Sequence, residues 1–532
     1  MVDSAKIGDK GLVTVREATF RLLRELGIDK VFGNPGSTEL PMFRDFPPEF
    51  SYVLGLQESV VIGMADGYAQ ATHNAGFVNL HSAAGVGHAM GNIFTAFRNR
   101  TPLVITAGQQ SRSLLQMEPF LFSSQATELP KPYVKWSCEP ARAEDVPAAI
   151  ARAYYIAMTP PYGPTFVSVP VDDWDVLTQP IAAREVSRTV RGPEAALDQL
   201  SSALNASRKP VFVIGGAIDR EGGWDDMRRL AERHGALVWV SPLIGRCGFP
   251  EDHPLFAGFL PAFREEICKR LEGHDLCLTI GAPVFTYHAE GHGEYIPVGL
   301  AVYQLTEDPD WAACAIAGTT VLSNVGEGLK DLLARPGPAA PAAQKGRDPV
   351  PRLPATDPFP DTFLMQTLAD VRAPDSIIVE EAPSSRGPMQ TYLPILQSET
   401  FYTCASGGLG HGLPASVGVA LGKPGKKVIA LLGDGSSMYS IQGLWTAAQL
   451  GLPITFVIVN NRRYDALHHF AKRFGLKEAV GTELGGIDFV GVAKGLGCDG
   501  VRVEKAADLA GVLKSAIAAT RPTLVEVVVG RS

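Results

Sequence analysis

Val428-Ile429-Ala430-Leu431-Leu432-Gly433-Asp434-Gly435 decides the fold, because this stretch reads as a buried strand that ends on an acid. A helical pattern over residues 440–450 follows, and a second apolar run over residues 454–459 then ends on Asn460-Asn461. A strand, a helix and a strand in this order predict a βαβ unit with parallel strands. Open parallel sheets bind ligands at the carboxyl ends of their strands, so these polar residues are candidates for a binding site.

The polar residues at the two strand ends suit a metal ion that carries a diphosphate. Asp434 would repel a phosphate placed directly beside it, whereas one carboxylate together with the neutral amide oxygens of Asn460 and Asn461 suits magnesium. The alternative is an ordinary βαβ unit in which Asp434 only caps a helix. Capping needs no second polar pair at the next strand end, so we favour the cofactor site.

The composition limits the class of protein. At 532 residues the chain is long enough for three domains, with about 150 residues per domain as a soft prior. The net charge of -8 and the lack of a basic run argue against a nucleic-acid partner. Residues 1–6 are polar, and no run of about 18 apolar residues occurs, so we expect neither a signal peptide nor a membrane span. The seven cysteines form no CxxC or CxxH spacing, which favours free thiols in a reducing cytoplasm.

Strand and helix patterns alternate along the chain, which predicts an α/β protein with three domains of parallel sheet. The domains are predicted at residues 1–185, 193–335 and 361–532. Residues 336–360 are rich in Pro and Ala and are predicted to be a linker, because this composition does not build a packed element. The clearest strands are predicted at residues 52–56, 77–80, 103–106, 166–169, 211–214, 237–240, 276–280, 377–380 and 524–529.

Three polar groups follow predicted strands of the first domain. Glu58 sits at a strand-to-helix turn, where an acid that only favours the helix dipole is the plainer alternative. Ser37 lies in a Gly/Pro turn, and His81 directly ends a strand, where a lone histidine is often structural. Three such groups on one sheet edge shift the interpretation toward an active site. The glycines between Gly85 and Gly91 do not have the GxGxxG spacing of a dinucleotide site.

The other two domains add further candidates. His288 follows a predicted strand of the middle domain, although a simple loop histidine remains an alternative. Residues 407–414 form a Gly-rich turn that enters an apolar helix and lets backbone amides approach a ligand, unless it is only a flexible loop. After Asn461 an apolar series lines either a pocket or a helix face: Tyr464, Ala466, Leu467 and Phe470.

These features resemble the thiamin-diphosphate enzymes of the pyruvate oxidase and decarboxylase group, whose signature has GDG followed by NN. Within that group the chain most closely resembles the benzoylformate decarboxylases. The resemblance runs nearly end to end, and its longest motifs are Val31-Phe32-Gly33-Asn34-Pro35-Gly36-Ser37, Ala65-Asp66-Gly67-Tyr68-Ala69-Gln70-Ala71, Asn79-Leu80-His81-Ser82-Ala83-Ala84-Gly85, Gly281-Ala282-Pro283-Val284-Phe285 and Leu444-Trp445-Thr446-Ala447-Ala448-Gln449. It implies a pyrimidine-binding first domain, a central Rossmann-like domain and a diphosphate-binding last domain.

The resemblance also implies catalytic roles. Glu58 is expected to hydrogen-bond N1′ of the aminopyrimidine and to promote the imino tautomer that deprotonates thiazolium C2. Ser37 is expected to hold the substrate carboxylate, and His81 and His288 are expected to relay protons.

Cofactor and pocket residues are implied in the same way. Magnesium is expected on Asp434, Asn461 and the backbone carbonyl of Arg463. Leu409 is expected to prop the cofactor in a bent conformation, and the Gly407 carbonyl to orient its amino group. The remaining expected cofactor contacts are Gly433, Gly435, Ser436 and Tyr464. The apolar end of the pocket is expected to consist of Phe120, Leu121, Ala466, Leu467 and Phe470.

Glu58 and Asp434 belong to different domains, which in the family meet across a subunit interface. The resemblance therefore implies a homodimer or homotetramer with active sites between subunits. It also implies a non-oxidative, magnesium-dependent decarboxylation of a 2-oxo acid such as benzoylformate, with carboligation as a side reaction. An acetolactate-synthase-like carboligase acting on pyruvate is the alternative, weakened because His81 and His288 are typical of decarboxylases. A flavin- or nucleotide-binding redox protein is disfavoured, because no GxGxxG follows residues 211–214.

The chain departs from the family pattern beside the expected metal site. Asp465 stands where a glycine is expected, and His468-His469 replaces an Arg-Trp pair. Pro383 stands where a hydroxyl is expected. These departures leave the cofactor in place and put the identity of the substrate in question.

Overall fold

The computed structural model describes residues 11–531, so the expectation about residues 1–6 lies outside the described part. The chain divides into two compact units. The first comprises the chain up to Ser187 together with Val417–Lys423, and the second comprises Arg188–Ser416 and Pro424–Ser532. Residues 11–531 contain three six-stranded sheets with helices between the strands, and each sheet is parallel throughout. The predicted fold class, three α/β domains with parallel sheets, is confirmed.

The sheet of the first unit has the strand order 2-1-3-4-6-5 when its strands are numbered along the chain. Across the sheet the strands are Ser51–Leu54, Lys30–Gly33, Gly76–Leu80, Leu103–Gln109, Pro164–Pro170 and Ser137–Cys138. The helices of this unit are Val15–Glu25, Glu58–Thr72, Ser82–Arg98 and Val146–Ala157. The central strands are buried along their whole length, as expected where helices cover both faces of a parallel sheet.

The second unit contains two sheets, and the first of them has the order 3-2-1-4-5-6 found in doubly wound nucleotide-binding folds. Its strands, across the sheet, are Phe256–Phe259, Leu237–Val240, Pro210–Ile214, Leu276–Ile280, Ala301–Thr306 and Thr319–Leu322. The accompanying helices are Glu194–Ala206, Ala217–Arg220, Trp224–His234, Arg264–Leu271, Pro309–Cys314 and Val325–Ala334.

The last sheet repeats the order of the first, 2-1-3-4-6-5. Its strands are Phe401–Thr403, Ile377–Glu381, Val428–Gly433, Thr455–Asn460, Thr523–Val528 and Asp499–Val503. Its helices are Asp361–Val371, Arg386–Tyr392, Gly412–Gly422, Asp434–Ser437, Gly443–Gln449, Asp465–Arg473, Phe489–Gly495 and Ala506–Ala518. In both sheets of this order the first and third strands are neighbours, and this is the switch point at which open parallel sheets bind ligands.

All the strands predicted from the apolar runs are present, with ends that differ by a few residues. The helical pattern over residues 440–450 forms a shorter helix, Gly443–Gln449, which follows a separate helical turn, Asp434–Ser437. Among the described residues, no helix is both long and apolar enough to cross a membrane.

The segment predicted to be a linker, residues 336–360, contains no helix or strand, yet it is fixed to the central sheet. Gln344 donates from Nε2 to the carbonyls of Pro210 and Gly235, at 2.8 and 2.9 Å. The Gly346 amide donates to the carbonyl of Pro254. The backbone of residues 336–360 therefore lies along the central domain, where these hydrogen bonds hold it.

Candidate active site

Three of the four predicted catalytic residues, Ser37, Glu58 and His81, follow strands at the switch-point edge of the first sheet. Strands Lys30–Gly33 and Gly76–Leu80 pair in parallel, so the chain leaves both at the same edge. Ser37 follows the first strand and His81 follows the second. Ser37 is exposed, and its role in binding a substrate carboxylate stays a prediction.

His81 is held by a buried carboxylate that the sequence did not single out. Its Nδ1 lies 2.7 Å from Oε2 of Glu39, which is only 1% exposed. Glu39 also accepts hydrogen bonds from the backbone amides of Gly36 and Gly108 and from the Thr38 hydroxyl, at 2.9, 3.0 and 2.6 Å. A buried carboxylate that already accepts three bonds orients the ring with its Nδ1 proton toward Glu39, which leaves Nε2 as the free ring nitrogen.

Two glycines make room for this pair. A Cβ at residue 36 would lie 2.1 Å from Nδ1 of His81, and a Cβ at residue 108 would lie 2.1 Å from Oε1 of Glu39. Real side chains do not approach so closely, so the pair requires both glycines. In the sequence, Glu39 could be noticed only as an acid directly after the Gly/Pro turn. Its contact with Gly108 could not, because Gly108 lies in the strand Leu103–Gln109, far away along the chain.

Glu58 is the first residue of the helix Glu58–Thr72 and is 8% exposed. Gln57 caps this helix, since its side chain accepts from the amides of Ser59 and Val60, and Glu58 lies in the first turn, where an acid also favours the helix dipole. The Glu58 carboxylate instead accepts from Nδ2 of Asn34 at 3.3 Å and meets Nδ1 of His88 at 3.0 Å. It is therefore a buried acid whose contacts are all to polar side chains.

Asp434 follows strand Val428–Gly433 at the switch point of the last sheet. Its Oδ1 accepts from the Gly435 amide at 2.8 Å, whereas its buried Oδ2 has no hydrogen-bond partner among the residues that the structure describes. Burial raises the pKa of Asp434 to about 6, against the opposing effect of the nearby Gly435 amide. A divalent cation at Oδ2 would supply the missing partner and favour the charged form.

The two asparagines at the next strand end have different roles. Asn460 donates from Nδ2 to Glu526 at 2.8 Å and is a structural residue of the sheet. Asn461 lines the cavity described below, and its Oδ1 accepts from the Arg463 amide at 3.1 Å. Residues 11–531 contain no cluster of three or more His, Cys, Asp or Glu side chains that could hold a metal. A cation here would need amide, carbonyl and diphosphate oxygens beside Asp434, and the first two types are present.

A cavity of about 560 Å³ lies beside Asp434 in the second unit. Every predicted site residue of this unit lines it: His288, Gly407, Leu409, Gly433, Asp434, Gly435, Ser436, Asn461, Arg463, Tyr464, Ala466, Leu467 and Phe470. The structure thus brings His288 of the central domain together with residues of the last domain. Phe120 and Leu121 belong to the first unit, where Phe120 is 86% exposed, and their role in the pocket stays a prediction.

One wall of the cavity is aromatic. The ring of Phe470 lies against the imidazole of His288 with centroids 4.3 Å apart and stacks on Phe474 at 6.1 Å. Sequence reasoning missed Phe474 and Tyr439, which also line the cavity. It also missed Ser384, whose Oγ accepts from the Ala466 amide at 3.0 Å. Phe474 continues the helical spacing from Phe470, which was an available signal.

The departures from the family pattern have local partners. Arg463 and Asp465 form an ion pair at 2.5 Å, so the acid at the glycine position does not bring an uncompensated charge to the cavity. His468 meets the Thr482 hydroxyl at 3.0 Å, and His469 meets the Asp465 carbonyl at 3.2 Å. Pro383 opens a short 3-10 turn and lines the cavity.

Family models match three successive parts of the chain. The N-terminal TPP binding domain of the thiamine pyrophosphate enzymes matches residues 13–128, their central domain matches residues 197–332, and their C-terminal TPP binding domain matches residues 384–527. The chain belongs to the thiamine pyrophosphate enzyme family. It is a thiamin-diphosphate-dependent enzyme, and the resemblance inferred from its motifs is confirmed.

Relatives in this family are similar over nearly the whole length. Benzoylformate decarboxylase of Pseudomonas aeruginosa is 42% identical over 97% of this chain and 98% of its own. The crystal structure of benzoylformate decarboxylase from Polynucleobacter necessarius is 39% identical with a TM-score of 0.96, covering 98% of this chain and 99% of that one. A 4-hydroxybenzoylformate decarboxylase from Rhodococcus jostii RHA1 is 41% identical with a TM-score of 0.93, covering 98% and 100%.

Proposed function

We propose that the protein is a non-oxidative decarboxylase that converts an aryl 2-oxo acid, benzoylformate (phenylglyoxylate), to benzaldehyde and carbon dioxide. The observation that carries this proposal is the cavity of the second unit, where an unsatisfied buried carboxylate oxygen, a histidine and an aromatic wall occur together. The similarity to decarboxylases of benzoylformate and 4-hydroxybenzoylformate supports the same substrate class.

The last domain would bind the cofactor. Asp434, Asn461 and the carbonyl of Arg463 would hold magnesium, and the unsatisfied Oδ2 of Asp434 supports this. Leu409 and the Gly407 carbonyl would fix the cofactor's conformation. The diphosphate would lie against Gly433, Gly435, Ser436 and Tyr464. Bound thiamin diphosphate supplies an electron sink for the carbon that loses carbon dioxide.

The protein's own work in the reaction is to position groups and to move protons. Glu58, which is nearly buried, would hydrogen-bond N1′ of the cofactor. His81, oriented by Glu39, and His288, oriented by Phe470, would take and return protons at the reacting carbon and its oxygen. Ser37 would hydrogen-bond the substrate carboxylate.

The apolar end of the cavity would receive the aryl ring. Ala466, Leu467 and Phe470 line it, and Phe120 and Leu121 would complete it. Moving a carboxylate out of water is costly, whereas the aldehyde that remains is neutral. An apolar wall beside a few polar groups therefore suits a substrate with one charged and one aromatic end.

We also propose that the enzyme acts in the cytoplasm as a homodimer or homotetramer, with active sites at the subunit interface. The cytoplasmic location is supported by seven cysteines that are all free thiols. The subunit arrangement rests on the family resemblance, in which the domains that carry Glu58 and Asp434 meet across a subunit interface, and these two residues belong to different compact units of the chain. Light scattering that finds a fully active monomer would overturn it.

The test uses the purified protein with thiamin diphosphate, magnesium and benzoylformate, and follows carbon dioxide and benzaldehyde. We expect both products in equal amounts, with a 2-hydroxy ketone as a minor product when acetaldehyde is added. Turnover of pyruvate to acetolactate without turnover of benzoylformate would replace the proposal with a carboligase.

A further inference from the structure

His88 lies among the glycines of residues 85–91, and its imidazole contacts Glu58. Nδ1 of His88 lies 3.0 Å from Oε2 of Glu58. Glu58 is nearly buried, whereas the His88 side chain is 63% exposed. The two groups thus join a buried acid to the surface of the first unit through one hydrogen bond.

Helical geometry explains how the contact forms. Gly85 and His88 are three residues apart in the helix Ser82–Arg98 and therefore share one face. A Cβ at residue 85 would lie 3.3 Å from Cγ of Glu58, so the glycine lets this face approach the acid. One turn later the longer His88 side chain reaches the carboxylate from the exposed side.

The opposite side of the carboxylate has no competing charge. Its other contact is Nδ2 of the neutral Asn34, at 3.3 Å from Oε1. His81 also lies beside Gly85, but its Nδ1 is bonded to Glu39. Within residues 11–531, His88 is consequently the one titratable side chain that is hydrogen-bonded to Glu58.

We propose that His88 is a positioning residue that carries protons between Glu58 and solvent. This rests on the proposed role of Glu58 as the acid that serves N1′ of the cofactor. In the step, the O–H bond at Oε2 of Glu58 breaks as an N–H bond forms at Nδ1 of His88. At the same time the N–H bond at Nε2 breaks and its proton passes to water. Charge and atoms balance, and the reverse order reprotonates Glu58.

The relay has a structural requirement that is testable without any substrate or cofactor. His88 must be open to solvent in the assembled protein. Diethyl pyrocarbonate acylates accessible neutral imidazoles, and mass spectrometry locates the product. We expect rapid modification of His88 and slow modification of His411, which is fully buried. Protection of His88 equal to that of His411 would overturn the relay.

The main test is the exchange of the cofactor's C2 proton for deuterium in the holoenzyme, measured by acid quench and proton NMR without any 2-oxo acid. His88→Ala should slow the exchange about tenfold or more, and added imidazole should restore it. His88→Gln keeps a hydrogen-bond donor but cannot relay a proton, so it should also be slow. His73→Asn, at the exposed end of the helix that carries Glu58, is the matched control and should exchange like the wild type.

The outcomes separate the relay from the proposed function. A wild-type holoenzyme that exchanges C2 no faster than free cofactor would contradict the function assigned to Glu58. Fast exchange in the wild type and equally fast exchange in His88→Gln would overturn the relay alone. Slow exchange in His88→Ala that imidazole does not restore would also overturn it, since it would indicate a purely structural contact.

Discussion

The first and last sheets share the strand order 2-1-3-4-6-5, and their switch points can be compared position by position. At the first sheet, polar side chains bond one another: Glu39 holds His81, and Asn34 and His88 hold Glu58. At the last sheet, Asp434 has an oxygen without a partner beside a cavity with an aromatic wall. Under the proposed function, one topology would serve two tasks: the first edge would hold the acid that serves the cofactor, and the second would anchor the cofactor and the aryl ring.

The central sheet differs from the first and last sheets. It has a different strand order, 3-2-1-4-5-6, and contributes one of the predicted catalytic residues, His288. The His288 ring contacts Phe470 of the last domain, and its backbone amide donates to the Ala262 carbonyl. The predicted catalytic residues thus lie after strands of the first sheet, and the central domain adds one predicted residue, His288, to the cavity of the last domain.

The largest expected effect comes from removing the acid of the first switch point. Glu58→Gln should lower kcat about 10³-fold, because the amide cannot exchange the proton that general acid–base catalysis needs. Steady-state carbon dioxide release from benzoylformate measures it. Glu185→Gln changes an exposed carboxylate of the same unit and should leave kcat unchanged. A Glu58→Gln enzyme within threefold of the wild type would contradict the division of roles.

A smaller loss of kcat is expected when the hydrogen bond between Glu39 and His81 is weakened. Glu39→Gln keeps the size of the side chain but removes the charge that orients the ring, so kcat should fall about 10- to 100-fold. The pH profile of kcat should change with it, whereas Glu39→Asp should recover part of the rate. An unchanged profile together with a lowered melting temperature would show that Glu39 serves only the fold.

The last switch point should control substrate choice more than proton transfer. Phe470→Ala should lower kcat/KM for benzoylformate about tenfold relative to pyruvate, because it removes apolar surface beside the aryl ring and the support of His288. Phe474→Ala is the matched control, since its ring is largely exposed and stacks on Phe470. Equal losses for the two variants would argue against an aryl ring beside Phe470.

The smallest effect on turnover is expected from a titrating acid remote from both switch points. Burial raises the pKa of Glu251 from 4.5 to about 7, against opposing contributions from the Ile395 backbone and Arg347. When folding raises the pKa of a carboxyl, its contribution to stability is fully present at pH values below its pKa in the unfolded chain. That contribution is lost as pH rises from about 4.5 through about 7.

Glu251→Gln should therefore remove a pH dependence of stability of no more than about 3 kcal/mol over that window, with kcat unaffected. Urea unfolding at several pH values measures it, with the exposed Asp252→Asn as control. A variant whose stability still falls over the same window would assign the dependence to another group.

Much of the fold and many cavity residues could be predicted from the sequence, because the signals for them are local. Buried parallel strands are continuous apolar runs, and each run ended on the polar residues that line the edge, so Asp434, Asn461 and His81 could be located locally. Glu39 could not, because its role depends on Gly108 from another strand. His88 could not, because its contact depends on the approach of two helices. Strand order is equally invisible to local periodicity, so the likeness of the first and last sheets appeared only in the structure.

The most direct test of the division of labour is the binding of thiamin diphosphate with magnesium, measured by isothermal titration calorimetry for Asp434→Asn and Glu58→Gln. Asp434→Asn keeps the acceptor for the Gly435 amide but loses the charge, so binding should weaken about 30-fold or more. Glu58→Gln should bind within about fivefold of the wild type while its turnover is lost. Wild-type binding by Asp434→Asn, or an equal loss of binding in both variants, would contradict the account.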